Sequence, residues 1–253
     1  MSVVVIDGYC HCGLSKYRPV EDVVSTMERH GVSRAVLVQH LGEFDNSYIE
    51  GIVRADSDRF AGVLLVDTDD PAADRVLTTW AEKGTFRGLR ILAHTITSCP
   101  KVWESAAELG LNIVVFDTPT LAPYADLLAD FASDHPMTRL VISHLGMPDI
   151  AEAPQFGSAE RILSLADHPN IYLQLSGMHM FTASPYSDLV PLIGRLAAAF
   201  GPERLFYGSN FPVMGEEAVY VSEIDQLRTG KLGVHQAVVD QVLGTTALEL
   251  WFS

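Results

Sequence analysis

Eight short runs rich in β-branched residues recur along the chain: Val3–Ile6, Ala35–Val38, Gly62–Val66, Gly88–Leu92, Ile113–Phe116, Leu140–Ile142, Ile171–Leu175 and Leu205–Tyr207. Their starts lie roughly 25 to 34 residues apart, the length of one strand plus one helix. The runs are continuously apolar instead of alternating, which suits parallel strands covered on both faces. Between them the period changes. After Pro19, the residues Val20, Val23, Val24 and Met27 form an i, i+3, i+4, i+7 stripe that Gly31 ends. Comparable helical stretches cover 46–55, 71–83, 101–109, 120–133, 158–167, 187–200 and 216–228, with a further tail at 235–251. Strict alternation of strand and helix predicts an α/β chain closed into a (β/α)8 TIM barrel. A doubly wound open sheet would place a Gly-rich nucleotide loop after strand one. The chain has Asp7-Gly8-Tyr9-Cys10-His11-Cys12-Gly13 there instead.

One barrel accounts for residues 1–253 as a single domain, with no linker or low-complexity tract. The longest irregular stretch, Met147–Ser158, reads as an active-site loop after strand six. The charge balance narrows the partners. With 17 Lys+Arg against 32 Asp+Glu the net charge is −15, which repels phosphate backbones and anionic lipids, so neither nucleic acid nor membrane is an expected partner. Three cysteines are too few for a disulfide framework, and no basic leader precedes the first apolar run, so the expected location is cytoplasmic. Period-two geometry sends Cys10 and Cys12 behind strand one, away from His11. At the other end, Trp251 and Phe252 either pack on the barrel wall or join a homodimer.

Chemistry in such a barrel sits where strands end. The polar residues there are Asp7, Tyr9 and His11 (strand one), Gln39 and His40 (two), Asp67 (three), Arg90 and His94 (four) and Asp117 (five). Strand six adds Ser143 and His144, strand seven Ser176 and His179, and strand eight Ser209 and Asn210. Five of the nine histidines fall on that rim.

Three segments carry a resemblance: Ile6-Asp7-Gly8-Tyr9-Cys10-His11, Val141-Ile142-Ser143-His144-Leu145-Gly146 and Tyr207-Gly208-Ser209-Asn210-Phe211-Pro212. With Gly88-Leu89-Arg90, Pro169–Gly177 and Leu243–Ala247 in support, the chain resembles the amidohydrolase superfamily in its amidohydrolase-related branch. That branch includes lactonases, such as pyrone-dicarboxylate hydrolases and sugar lactonases, along with decarboxylases. The resemblance implies a barrel-mouth site with His11, His144, Asn210 and Tyr9 as catalytic positions. For substrate binding the same rim offers Arg90, Gln39, His40, Asp117, Ser176 and His179.

The departures are as informative. The superfamily pattern on strand one is His-x-His, but Tyr9 replaces the first imidazole. An aspartate that activates water is expected on strand eight, where this chain has Asn210. Divalent sites usually need three anionic or imidazole ligands, and only His11 and His144 stand at matching positions. No metal and no other cofactor is therefore expected, as in the branch's metal-independent lactonases. An amide cannot accept a proton at neutral pH. Either Asn210 replaces an original aspartate, or His11, His144 or Asp117 is the base, or the reaction needs no hydrolytic water. The leading expectation is hydrolysis of a small lactone or cyclic ester carrying a carboxylate. Arg90 would hold that carboxylate, while His11, His144 and Tyr9 polarise the carbonyl. The alternatives are a lyase, isomerase or cyclase using histidines for proton transfer, and a silent binding protein that kept the pocket.

Overall fold

A computed structural model of the chain describes residues 4–213 and 216–253. Its eight strands are β1 Val5–Cys10, β2 Val32–Val38, β3 Phe60–Leu64, β4 Phe86–Leu92, β5 Asn112–Phe116, β6 Leu140–Ile142, β7 Ile171–Ser176 and β8 Leu205–Gly208. All neighbouring pairs are parallel and follow chain order from β1 to β8. Two backbone hydrogen bonds bring the last strand onto the first: Asn210 N–H donates to the Tyr9 carbonyl (2.8 Å) and His11 N–H to that of Phe211 (2.7 Å). Gly208 permits this approach, since a β-carbon there would lie 2.6 Å from that of Tyr9. The expected (β/α)8 barrel is what the chain forms.

The helices are α1 Val20–Arg29, α2 Ser47–Ala55, α3 Ala73–Ala81, α4 Thr95–Ser98, α5 Pro100–Glu108, α6 Ala125–Asp134, α7 Glu160–Leu163, α8 Val190–Phe200, α9 Glu217–Arg228 and α10 Thr246–Trp251. In α1 the stripe works as read: Val23 and Met27 are buried, Glu21 and Asp22 lie in the first turn and Arg29 in the last. The stretch after β6 is not one helix. It is split into 3-10 turns at 157–159 and 164–167 around the single turn of α7.

Two apolar layers result. Ile6, Tyr9, Val36, Val38, Ala61, Val63, Val114, Val141 and Phe206 fill the barrel, and Ala247, Leu250 and Trp251 close its lower end. The C-terminal Trp251 thus packs into the barrel at 2% exposure. A larger layer between strands and helices holds Cys10 and Cys12, placing both thiols behind the strand as expected.

Strand one departs from its reading. The run began at Val3, which lies outside the described residues, and the strand extends to Cys10. Its register against β2 jumps between Asp7 (opposite Ala35) and Cys10 (opposite Leu37), a bulge of one residue. The bulge keeps Tyr9 inside the barrel. Asp7 is not at the mouth. It lies behind the strand, accepting from Ser209 N–H (2.8 Å), the Ser209 hydroxyl (2.5 Å) and Tyr9 N–H (3.2 Å). Burial raises its carboxyl to about 6 against these hydrogen bonds.

Candidate active site at the barrel mouth

The C-terminal ends of the strands surround a cavity of about 370 Å³, lined by His11, Arg90, Asp117, His144 and Asn210, and by Lys16, Tyr17, Leu41, Leu92, His94, Phe116, Thr118, Met147, Met180 and Val213. Tyr9, one of the expected catalytic positions, does not line the cavity: it is fully buried and packs behind two residues that do, His11 and His144. The Tyr9 ring meets His11 and His144 edge-on, each with centroids 5.0 Å apart. Its buried hydroxyl has no hydrogen-bond partner among the described residues.

The hydrogen bonds fix both imidazole tautomers. His11 Nδ1 lies 2.6 Å from the Val38 carbonyl, which can only accept, so Nδ1 carries the proton. His144 Nδ1 meets the Ser176 hydroxyl at 2.8 Å. That hydroxyl gives its own hydrogen to Gln174 Oε1 (2.9 Å), and Gln174 is oriented by donating from Nε2 to the Gly8 carbonyl (3.2 Å). His144 therefore also donates from Nδ1. Both histidines keep an Nε2 lone pair. Neither can donate to an oxyanion in this neutral state, so the carbonyl-polarising role expected of them passes to other groups. Burial, then the Arg90 charge, pulls both below the ordinary range: His11 well below, His144 to about 3.

Arg90 comes from the C-terminal part of β4 and is only 7% exposed. One guanidinium nitrogen donates to the Gln39 carbonyl at 3.1 Å, and the group lies 4.6 Å from the centre of the Phe116 ring. Its Nε is buried without a partner among the described residues. No ion pair joins it to a carboxylate among the described residues, Asp117 at the same rim included. Asp117 is occupied instead: Oδ2 accepts from the His94 backbone and from its Nδ1 (both 2.8 Å), and Oδ1 accepts from Thr118 N–H (2.8 Å). Those contacts leave it poorly placed to serve as a base.

Backbone strain gathers at the same rim. His144, Leu145 and Met147 all have left-handed φ (51°, 59° and 57°), as does Asn210 (55°). Such conformations disfavour most side chains, and asparagine tolerates them best after glycine. Beneath both residues lies Gly177, at φ 64°; a β-carbon there would sit 3.0 Å from His144 Nδ1 and 3.4 Å from Asn210 Nδ2.

Four expected binding residues do not line the cavity. Ser176 orients His144 from behind. Gln39 supplies its carbonyl to Arg90 while its side chain binds the Asp45 carbonyl (2.8 Å) and His40 N–H (3.0 Å). His40 backs Tyr17 edge-on at 5.1 Å, and burial lowers its pKa. His179 is clamped outside the barrel. Sequence reasoning missed Lys16 and Tyr17, from the loop after β1, and the apolar wall of Leu92, Phe116, Met147 and Met180. Tyr17 stacks on His11 (5.1 Å, 18°). Phe116 was within reach, since it precedes Asp117 on a strand whose alternation points it inward. No period marks Tyr17.

The donor set is a poor fit for a divalent cation. It comprises two imidazole lone pairs, a phenol and a neutral amide beside a guanidinium, and among the described residues no three His, Cys, Asp or Glu side chains converge.

A family model described as amidohydrolase matches residues 15–252. The chain is 28% identical over 202 residues to an L-fucono-1,5-lactonase of Burkholderia ambifaria, covering 76% of this chain and 69% of that one. It is 26% identical over 208 residues to a 4-sulfomuconolactone hydrolase of Rhizobium radiobacter, covering 78% and 67%. A Pseudomonas putida crystal structure, provisionally assigned as a 2-pyrone-4,6-dicarboxylic acid hydrolase, superposes with a TM-score of 0.78 at 24% identity over 99% of this chain and 98% of that one.

Proposed function

The chain belongs to the amidohydrolase family, and from that premise we propose that it is a metal-independent hydrolase opening a small lactone or cyclic ester that carries a carboxylate. The observation that carries this reading is Arg90, a buried guanidinium with no carboxylate partner among the described residues, sharing a cavity of ligand size with two imidazole lone pairs. A substrate carboxylate supplies the missing counter-charge. The lactone activities of the Burkholderia and Rhizobium relatives support the same bond type.

In this mechanism the Arg90 guanidinium binds the carboxylate and the Tyr9 hydroxyl donates to the lactone carbonyl oxygen. Water attacks the carbonyl carbon and gives a proton to His144 Nε2, while the Asn210 amide orients the water. The tetrahedral oxyanion is held by Tyr9. Its collapse breaks the ring C–O bond, and the imidazolium of His144 returns the proton to the leaving oxygen, giving a hydroxy acid. Docking of an anion on Arg90 also counters one of the three effects that suppress His144 basicity in the empty site, the others being burial and the His179 charge. A cytoplasmic setting is supported by three free thiols, Cys10, Cys12 and Cys99. Among the described residues no helix is long and apolar enough to cross a membrane.

A second reading rests on the same two lone pairs. His11 and His144, flanking Tyr9, can take a proton from one substrate atom and return it to another without water, as an isomerase or lyase does. The test is turnover of a panel of small lactones, with and without a carboxylate, in metal-free buffer. Ring opening confined to the carboxylated members supports the hydrolase. Rearrangement without uptake of solvent oxygen from labelled water supports the second reading.

A further inference from the structure

A second polar cluster lies outside the cavity and takes no part in the chemistry above. His179 sits on the 3-10 turn Met178–Met180 after β7. Its Nε2 lies 2.8 Å from the Val213 carbonyl, in the loop after β8, and its Nδ1 lies 2.9 Å from Glu223 Oε1, in the middle of α9. The carbonyl can only accept, so Nε2 carries a hydrogen. Burial raises the Glu223 pKa, and against it Oε1 faces the His179 backbone N–H at 3.4 Å as well as the ring, which favours the ionised carboxylate. The pair is sealed from water, with side chains 7% and 0% exposed. Opposing the burial that disfavours its charge, Glu223 holds the ring above the ordinary histidine range. Both nitrogens then donate, which describes an imidazolium.

Asn210 is caught on both sides of this ring. Val213, whose carbonyl His179 grips, donates its N–H to the Asn210 carbonyl at 2.9 Å. Met180, the residue after His179, presents its sulfur 3.3 Å from Asn210 Nδ2. We propose that His179 and Glu223 are positioning residues: their buried pair locks the loops after β7 and β8 together and holds Asn210 in the left-handed conformation that keeps its amide on the cavity wall. The geometry stands by itself. Its consequence for turnover rests on the hydrolase reading.

Titration gives the proposal a handle. The other ionisable groups around the pair are Asp7 from β1, His144 after β6, Tyr186 after β7 and Tyr207 on β8. A histidine whose pKa is raised by folding contributes its lock below the unfolded value and loses it as pH rises through the folded one. The site should therefore loosen on the alkaline side.

Nuclear magnetic resonance of the full chain labelled with ¹⁵N tests this without any substrate. At neutral pH both His179 ring N–H groups should be visible, and the backbone and side-chain amides of Asn210 should shift with the same alkaline midpoint as His179. In Glu223→Gln the His179 midpoint should fall by more than one pH unit, with the Asn210 transition following it. In His179→Gln, which has nothing to titrate, that transition should vanish. A neutral His179 at pH 7, or Asn210 amides that stay still through its titration, overturns the proposal, and the wild-type titration alone suffices if a variant fails to fold. On a carboxylated lactone, Glu223→Gln should lower kcat about tenfold or more at pH 8 and less at pH 6, with KM within about threefold. If the wild type opens no lactone, the hydrolase reading fails while the resonance titration still decides the coupling.

Discussion

Replacing Arg90 with methionine should make the protein worse at its task and no less stable. A guanidinium taken out of water without a counter-ion carries a penalty of several kcal/mol. The main offsets are the Phe116 ring at 4.6 Å, about 1–2 kcal/mol, and the bond to the Gln39 carbonyl at 3.1 Å, about 1.5–3 kcal/mol, with the Tyr9 ring more distant at 5.8 Å. The balance leaves Arg90 roughly 1 kcal/mol unfavourable to the empty fold. Methionine fills similar volume and packs on Phe116, so Arg90→Met should raise Tm by about 2–4 °C. Binding moves the other way. Losing a charge-assisted pair of hydrogen bonds to a substrate carboxylate removes about 3–4 kcal/mol, or about 10²- to 10³-fold in kcat/KM. Calorimetry and steady-state kinetics on a carboxylated lactone measure both. A kcat/KM within about threefold of wild type refutes the anion grip. A Tm lowered by more than about 5 °C refutes the argument that the charge is uncompensated.

Asn210→Asp keeps a residue type that tolerates φ 55° and supplies a carboxylate beside His144; kcat should rise, with a new acid limb in the pH profile, while KM rises about tenfold because the new charge competes for Arg90. Unchanged kcat and KM would show that position 210 does not address the reacting centre. Protein purified without chelators should contain less than about 0.1 equivalent of zinc or manganese by elemental analysis and should keep its activity in EDTA; stoichiometric metal would sink the metal-free mechanism. His144, lowered from 6.5 to about 3, takes up a proton on unfolding, so stability is lost as pH falls from 6.5 toward 3, by up to about 1.4 kcal/mol per pH unit. Asp7, raised from 3.8 to about 6, acts oppositely between those values, because the folded state binds its proton more tightly. Urea unfolding of His144→Gln between pH 6.5 and 4 should therefore show a smaller acid loss than wild type, and an identical slope would contradict the buried neutral imidazole.

The barrel was legible because its evidence is repeated eight times. Continuous apolar strands and amphipathic helices each encode two-sided burial, and an error in one unit leaves the pattern intact. The site is legible only where a strand's alternation carries a side chain to the mouth, as for His11 and Arg90. It fails where the backbone departs from that period. The bulge between Asp7 and Cys10 puts Tyr9 inside the barrel while Asp7 faces the other way, and no local propensity announces it. His40, Ser176 and His179 stand at strand ends in the sequence, yet each spends its polar atoms on a neighbour: a chain carbonyl, His144, or Glu223. Rim position selects polar residues for satisfying loop backbone as well as for chemistry, and only the partners tell the two apart.

The partners also explain why Tyr9, Arg90 and Asn210 belong together. A site built around a divalent cation brings its own positive charge and needs anionic or imidazole ligands to hold it. Here the positive charge is covalent, on Arg90, and cannot be shared with surrounding carboxylates without losing its hold on a substrate. Asp117 is accordingly drawn off by His94 and Thr118, and Asp7 lies behind the strand. An aspartate at position 210 would be the nearest remaining competitor. Its neutral isostere preserves the left-handed strand end while leaving Arg90 free for an external anion. On this reasoning the amide at 210 is part of how the cavity selects a charged substrate, and the proton-accepting task falls to His144, whose Ser176–Gln174–Gly8 chain of hydrogen bonds keeps Nε2 bare.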